Sequence, residues 1–201
     1  MKWIALIVGS TFQDLIAHGR EIDTAIRQGG DTLTERSTWE MEHYFDKPFY
    51  EQAIPHPFAA GGVYLLLLIA FSVNMVFTLY SFHVVPAVFI SIYFGAMSIF
   101  FITLLSAARL IARGQVQGLI IFNYLFILVF FVSIATSGYI AFVEGLHDTK
   151  KTVFFIGEFA VLWYGRWLMN SRAFFLFALY CRTKRLAHAS AQVRMRKISK
   201  T

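Results

Sequence analysis

Apolar positions along this chain do not alternate with polar ones; they come in long unbroken runs. No charged residue stands between Glu51 and Arg109, or between Arg113 and Glu144. A soluble helix or strand keeps one face polar, so runs of this length are not water-facing elements. A hydrocarbon core about 30 Å thick takes roughly 20 residues of helix. Four stretches reach that length: about 62–82, 84–108, 116–143 and 152–180. Pro86 suits an early helical position, where its missing N–H does little harm. Membrane β-strands need short alternating segments, and these runs are apolar on every face. The pattern predicts an all-α membrane protein with a four-transmembrane-helix bundle over 59–181.

Residues 1–58 follow a different rule. Phe12, Leu15, Ile16, Ile22 and Ile26 fall on one face of a helix, with Ser10 and Gln13 as a capping box and Gly29-Gly30 as a stop. A second helix is expected from Ser37 to Asp46, with Ser37 and Glu40 as its capping box and Lys47-Pro48 as its end. This makes an N-terminal pair of amphipathic cytoplasmic or interfacial helices. Lys2 and the six apolar residues Trp3–Val8 open like a signal peptide. The run is shorter than the roughly 7–15 residues a signal needs, so 1–58 reads as retained.

Composition sharpens the picture. The chain has 201 residues, of which 57% are hydrophobic, 17% aromatic and only 15% charged. Soluble domains carry nearer about 25% charge, and a disordered chain has few aromatics. The single Cys181 excludes a disulfide scaffold. The net charge of +6 is unevenly spread: nine acids and five bases precede residue 59, whereas nine bases and no acid lie from Arg166 onward. Lys and Arg gather in the loop after span two (Arg109, Arg113) and in the basic tail, 182–201. By the positive-inside rule both termini are cytoplasmic, and the chain is expected in a bacterial inner membrane.

An ionisable group at depth is a functional candidate. Glu158 lies about six residues into span four, with Arg166 eight residues later on another face. A proton or ion pathway would require Glu158 to face Asn74, Asn123 or Tyr124 across the bundle; Asn74 and Asn123 are otherwise expected to make interhelical hydrogen bonds. Gly61-Gly62, Gly95 and Gly138 are expected to let helices approach closely. Trp39, Tyr44, Phe45, Phe49 and Tyr50 form an aromatic candidate surface for a partner protein. A third arrangement packs the acidic N-terminal segment on the basic tail. Arg182, Lys184 and Arg185 are candidate contacts to anionic lipid. Whether span four is one long helix or is broken near Arg166 stays open.

No pair of His at depth suits haem, no Cys or His set suits a metal, and no nucleophile elbow or phosphate loop occurs. Catalytic residues, cofactors and metals are therefore expected to be none. The tail lacks a nucleic-acid motif. The sequence points to a non-catalytic structural or accessory subunit of a larger inner-membrane complex for secretion, conjugation, respiration or transport. Membrane lipids and other membrane-protein subunits, or a homo-oligomer, are the expected partners. The alternatives are an immunity or exclusion protein that binds a toxin or channel, a small oligomeric channel or transporter using Glu158, and a lipid enzyme using Glu144, His147 and Asp148.

Overall fold

The computed structural model describes residues 2–29, 33, 35–48, 51–144 and 149–199, apart from the side chains of residues 2, 143, 144, 149–152, 154 and 198. The described residues are predominantly helical, with no strand among them. Three helices are long and apolar enough to cross a membrane. In chain order the elements are α1 (Lys2–Val8), α2 (Ser10–Gln28), α3 (Trp39–Asp46), α4 (Phe58–Ser81), α5 (Pro86–Ala112), α6 (Val116–Tyr139), a π-turn (Ile140–Glu144), α7 (Thr149–Met169) and α8 (Arg172–Ile198).

The spanning helices are α4, α5 and α6, with the last extending to Phe142. Each lies within a few residues of the run that predicts it. Pro86 starts α5 as expected. That helix runs past Ala108 because Arg109 sits in its last turn, where a cation offsets the exposed carbonyls. α4 and α6 form the middle of the bundle; α7 lies along α4, and α5 along α6. α5 is the outermost, burying only the stripe Phe100, Leu104, Ala107 and Ile111. We call the end holding Arg109 and Arg113 proximal, and the end holding His83 distal.

The fourth apolar run is not one helix. It breaks at Asn170 and Ser171, four residues beyond Arg166. Ser171 caps α8 by accepting from the Phe174 N–H. Asn170 turns the break into a joint: its Nδ2 donates to the Val8 and Arg166 carbonyls at 2.7 and 2.8 Å, and its Oδ1 accepts from Phe12 N–H. That last bond caps α2, in place of the expected Ser10 and Gln13 box. The residue before α2 is Gly9, at φ 107°, and a Cβ there would overlap the Asn170 amide. Gln13 instead donates to Asn123 of α6. Likewise Thr38, not Ser37, caps α3, and Ser37 donates to Glu42.

α8 continues unbroken through the expected tail boundary at 181–182. It packs against both α2 and α3, so the acidic N-terminal segment does lie on the basic C-terminal helix. Phe12, Phe122 and Phe174, all fully buried, join α2, α6 and α8. α1 lies beside α6 and α7, with Leu6 and Ile7 lining one cavity with Phe130 and Phe159.

The glycines do not work where expected. A Cβ on Gly61, Gly95 or Gly138 would meet nothing within 4 Å, and on Gly62 only the Leu168 side chain. The close approach is at Gly118, where a Cβ would lie 2.6 Å from the Ile111 backbone nitrogen and 2.7 Å from the Ala107 carbonyl.

Candidate functional site

Two places concentrate polar groups, one inside the bundle and one at its proximal end. Inside, α7 brings Glu158 against α4 and α6, where it is 5% exposed. Asn74 Nδ2 donates to the Ala70 carbonyl at 3.0 Å, to Ser133 Oγ at 2.7 Å, and to Glu158 Oε1. Ser133 Oγ lies 2.6 Å from Glu158 Oε1 and 2.8 Å from the Val129 carbonyl, so one proton serves two acceptors. Asn74 Oδ1 is buried without a partner. Of the three residues a pathway would require opposite it, Asn74 meets Glu158, Asn123 is held by Gln13, and Tyr124 is 65% exposed. Ser133 is the partner missed; its place on the polar side of α6, opposite Asn74, is the only signal the sequence holds.

The node has two different ends. Distally, Thr78 and Thr136 are hydrogen-bonded at 3.0 Å about one turn away, below a cavity of about 270 Å³ lined by Thr78, Ser81, Phe82, Thr136 and Tyr139. Proximally, fully buried Val63, Leu67, Phe122, Phe126 and Val129 close the bundle with apolar surface.

Arg166 and Glu158 do not meet. Glu158 faces α4 and α6; Arg166 stands over the Trp163 ring, 5.5 Å from its centroid, with its Nε buried and unpartnered. It lines an otherwise apolar cavity of about 440 Å³ with Leu6, Phe126 and Phe159.

At the proximal end Asp23 is the centre of a clasp. Its Oδ1 accepts from Arg185 Nη1 at 2.5 Å, and its Oδ2 from the Val116 N–H at 3.4 Å, so it also caps α6. Arg185 reaches the Gly114 carbonyl as well. Arg182 is 2% exposed; its Nη1 donates to the Leu15 carbonyl at 2.5 Å and its guanidinium fills the space left by Gly19. Burial pulls the Arg182 guanidinium down to about 10, against the opposing pull of Asp23. Burial thus puts Arg182 out of reach of a headgroup, and Arg185 is paired with Asp23. Lys184 is half-buried on the same helix.

Burial also pushes the Cys181 thiol up to about 11 from an ordinary 9.0. The ionised fraction near neutral pH then falls about 100-fold, and thiolate is the reactive form. Maleimide labelling of Cys181 in the folded protein is expected to be at least about 100-fold slower than after SDS unfolding, as followed by intact mass. Comparable rates would contradict the buried thiol. Because the folded value is raised, the thiol's contribution to stability is whole below pH 9.0 and is lost as pH rises towards 11.

The aromatic candidates divide. Phe45 is buried against Tyr180, and the Tyr44 hydroxyl accepts from the Ala53 N–H, so both help to hold this corner of the fold. Gln52 ties the same corner, accepting from Tyr180 and donating to the Phe45 and Lys47 carbonyls. Trp39 is 68% exposed and stacks on His43. Phe49, Tyr50, His147 and Asp148 lie outside the described residues, as does the Glu144 side chain. Trp39 and His43 line an open recess of about 890 Å³ between α3 and α8, facing His188, Met195 and Arg196. Its wall includes the ion pair of Arg194 with Glu42, 3.3 Å. No group of three His, Cys, Asp or Glu placed to hold a metal occurs among the described residues.

No known family model, curated protein or solved structure matches this chain.

Proposed function

We propose that this chain is a non-catalytic membrane subunit that docks a partner protein on the recess between α3 and α8. The observation that carries the reading is the chemistry of that recess. Trp, Met, Arg and His side chains line it alongside Asp46 and Gln192, and the exposed Trp39 and Met195 join the Glu42–Arg194 pair in its wall. Aromatic residues, Met and Arg are enriched at interface centres, and anchors on a rigid base lose less entropy on docking. In this reading α7 is a fourth crossing, the membrane is a bacterial inner membrane, and both termini are cytoplasmic. The clustering of Arg109, Arg113 and the α8 bases at one end supports that orientation.

The test is a photo-crosslinking amino acid in place of Trp39 in native membranes, with one in place of Phe101 on the outer face of α5 as control. The expected result is a discrete adduct to one other protein from position 39 and lipid adducts from 101. An adduct of two copies of this chain, or lipid adducts alone from position 39, would overturn the reading.

A further inference from the structure

The geometry points to Glu158 as a proton-binding site loaded from the distal end of the bundle. Three independent features meet at it. A carboxyl in a bundle interior survives only if it is neutral or fully paired, and no cation is paired with it among the described residues. Its Oε1 instead receives Asn74 and Ser133, neither of which carries charge. Beside it, Asn74 Oδ1 is a buried acceptor without a donor. A protonated Glu158 supplies one: a carboxylic O–H can donate to an amide oxygen, whereas a carboxylate cannot. Next to the node the path in is polar on one side only; on the proximal side, Tyr64 and Asn123 of the same helices lie ten residues from Asn74 and Ser133. The hydroxyls of Thr78 and Thr136 stand between the distal cavity and the node, and hydroxyls both accept and donate. Towards the proximal end, Leu67 and Phe126 offer no such step.

Among the described side chains, the surrounding elements add no competing charge beside the node. α4 and α6 carry no charged residue, and α5 carries only Arg109, in its last turn at the proximal end. Their other titratable groups are tyrosines. Tyr139 lines the distal cavity, Tyr64 packs on Phe122, Tyr93 bonds Ser72, and Tyr80 and Tyr124 are exposed. α7 itself carries Lys150 and Lys151 in its first turn at the distal end, whose side chains lie outside the described residues, and Arg166, which faces the other way over Trp163. This inference stands apart from the docking reading, since it concerns groups in the bundle interior.

Dicyclohexylcarbodiimide reads the protonated form. The carboxyl proton passes to a carbodiimide nitrogen, the carboxylate oxygen bonds to the central carbon, and the acyl shift to nitrogen leaves an N-acylurea carrying the whole reagent. With the full chain in detergent, one adduct is expected, mapping to Glu158, absent in Glu158→Gln, and slowing about tenfold per pH unit once the group titrates. In vesicles with a pH difference across the membrane, the rate is expected to follow the pH on the distal side. No adduct on the wild-type chain would overturn the inference, as would a rate that ignores pH or one that follows the proximal side. Protection by Na⁺ but not by choline at constant pH would also overturn it, and make the node an alkali-cation site. All of these are read on the wild-type chain, so a misfolded Gln variant does not decide the matter.

Discussion

Asp23→Ala is expected to lower the unfolding free energy by about 3 kcal/mol. Removing one member of a buried ion pair costs about 3–5 kcal/mol, because the other charge is left without compensation. The lower end applies, since the Arg185 side chain keeps 29% of its exposure. Three losses coincide: Arg185 loses its carboxylate, Arg182 loses the nearest negative charge, and the first N–H of α6 loses its acceptor. Asp23→Asn keeps an oxygen for the Val116 N–H and should recover part of the loss. The measurement is thermal unfolding in detergent, with Cys181 labelling as a local reporter, since Cys181 adjoins Arg182 on α8 and its backbone lies against Gly114. Unchanged melting together with unchanged labelling would show that the clasp carries no stability.

Gly114→Ala should do comparable damage for a different reason. Gly114 sits at φ 71° in the tight turn between α5 and α6, a backbone that costs an L-residue about 1–2 kcal/mol. A Cβ there would also lie 2.5 Å from the Cys181 carbonyl and 3.0 Å from the Arg182 Cα. Those are backbone atoms of α8, which cannot turn aside, and overpacking adds about 1–3 kcal/mol. The expected loss is about 2–5 kcal/mol. Gly61→Ala is the matched control: it is helical and open, so replacing it should be neutral or gain about 0.5–1 kcal/mol. Equal melting temperatures for the two variants would contradict the close contact of the α5–α6 turn with α8.

What the sequence made legible was the part governed by one strong, local rule. α4, α5 and α6 are readable because a run without charge has no other stable home. α2 is readable to its ends, since its apolar face repeats at helical spacing and Gly29 follows it. The caps failed: Gly9 and Asn170 lie 161 residues apart in sequence, and nothing local at Ser10 reveals that a distant amide takes over its role. Arg182 and Arg185 failed similarly. Read alone, a basic run beside an apolar helix signals a membrane anchor; only the tertiary position of Asp23 and Leu15 turns two of those cations inward. The break at Asn170-Ser171 had a readable signal, a Ser three residues before Phe174, but it was outweighed by apolar residues on both sides. For the site, Glu158 and Asn74 were visible as polar residues out of place, while Ser133 was not, because serine in an apolar helix ordinarily satisfies itself on its own backbone.

The most direct measurement is native purification in mild detergent from source membranes, comparing the wild-type chain with Met195→Glu, which places a charge at the edge of the recess without touching the clasp. The account predicts a complex of fixed stoichiometry with one other protein for the wild-type chain, and loss of that protein from an otherwise intact Met195→Glu chain. A stable wild-type chain that purifies alone, or a complex indifferent to Met195→Glu, would contradict it.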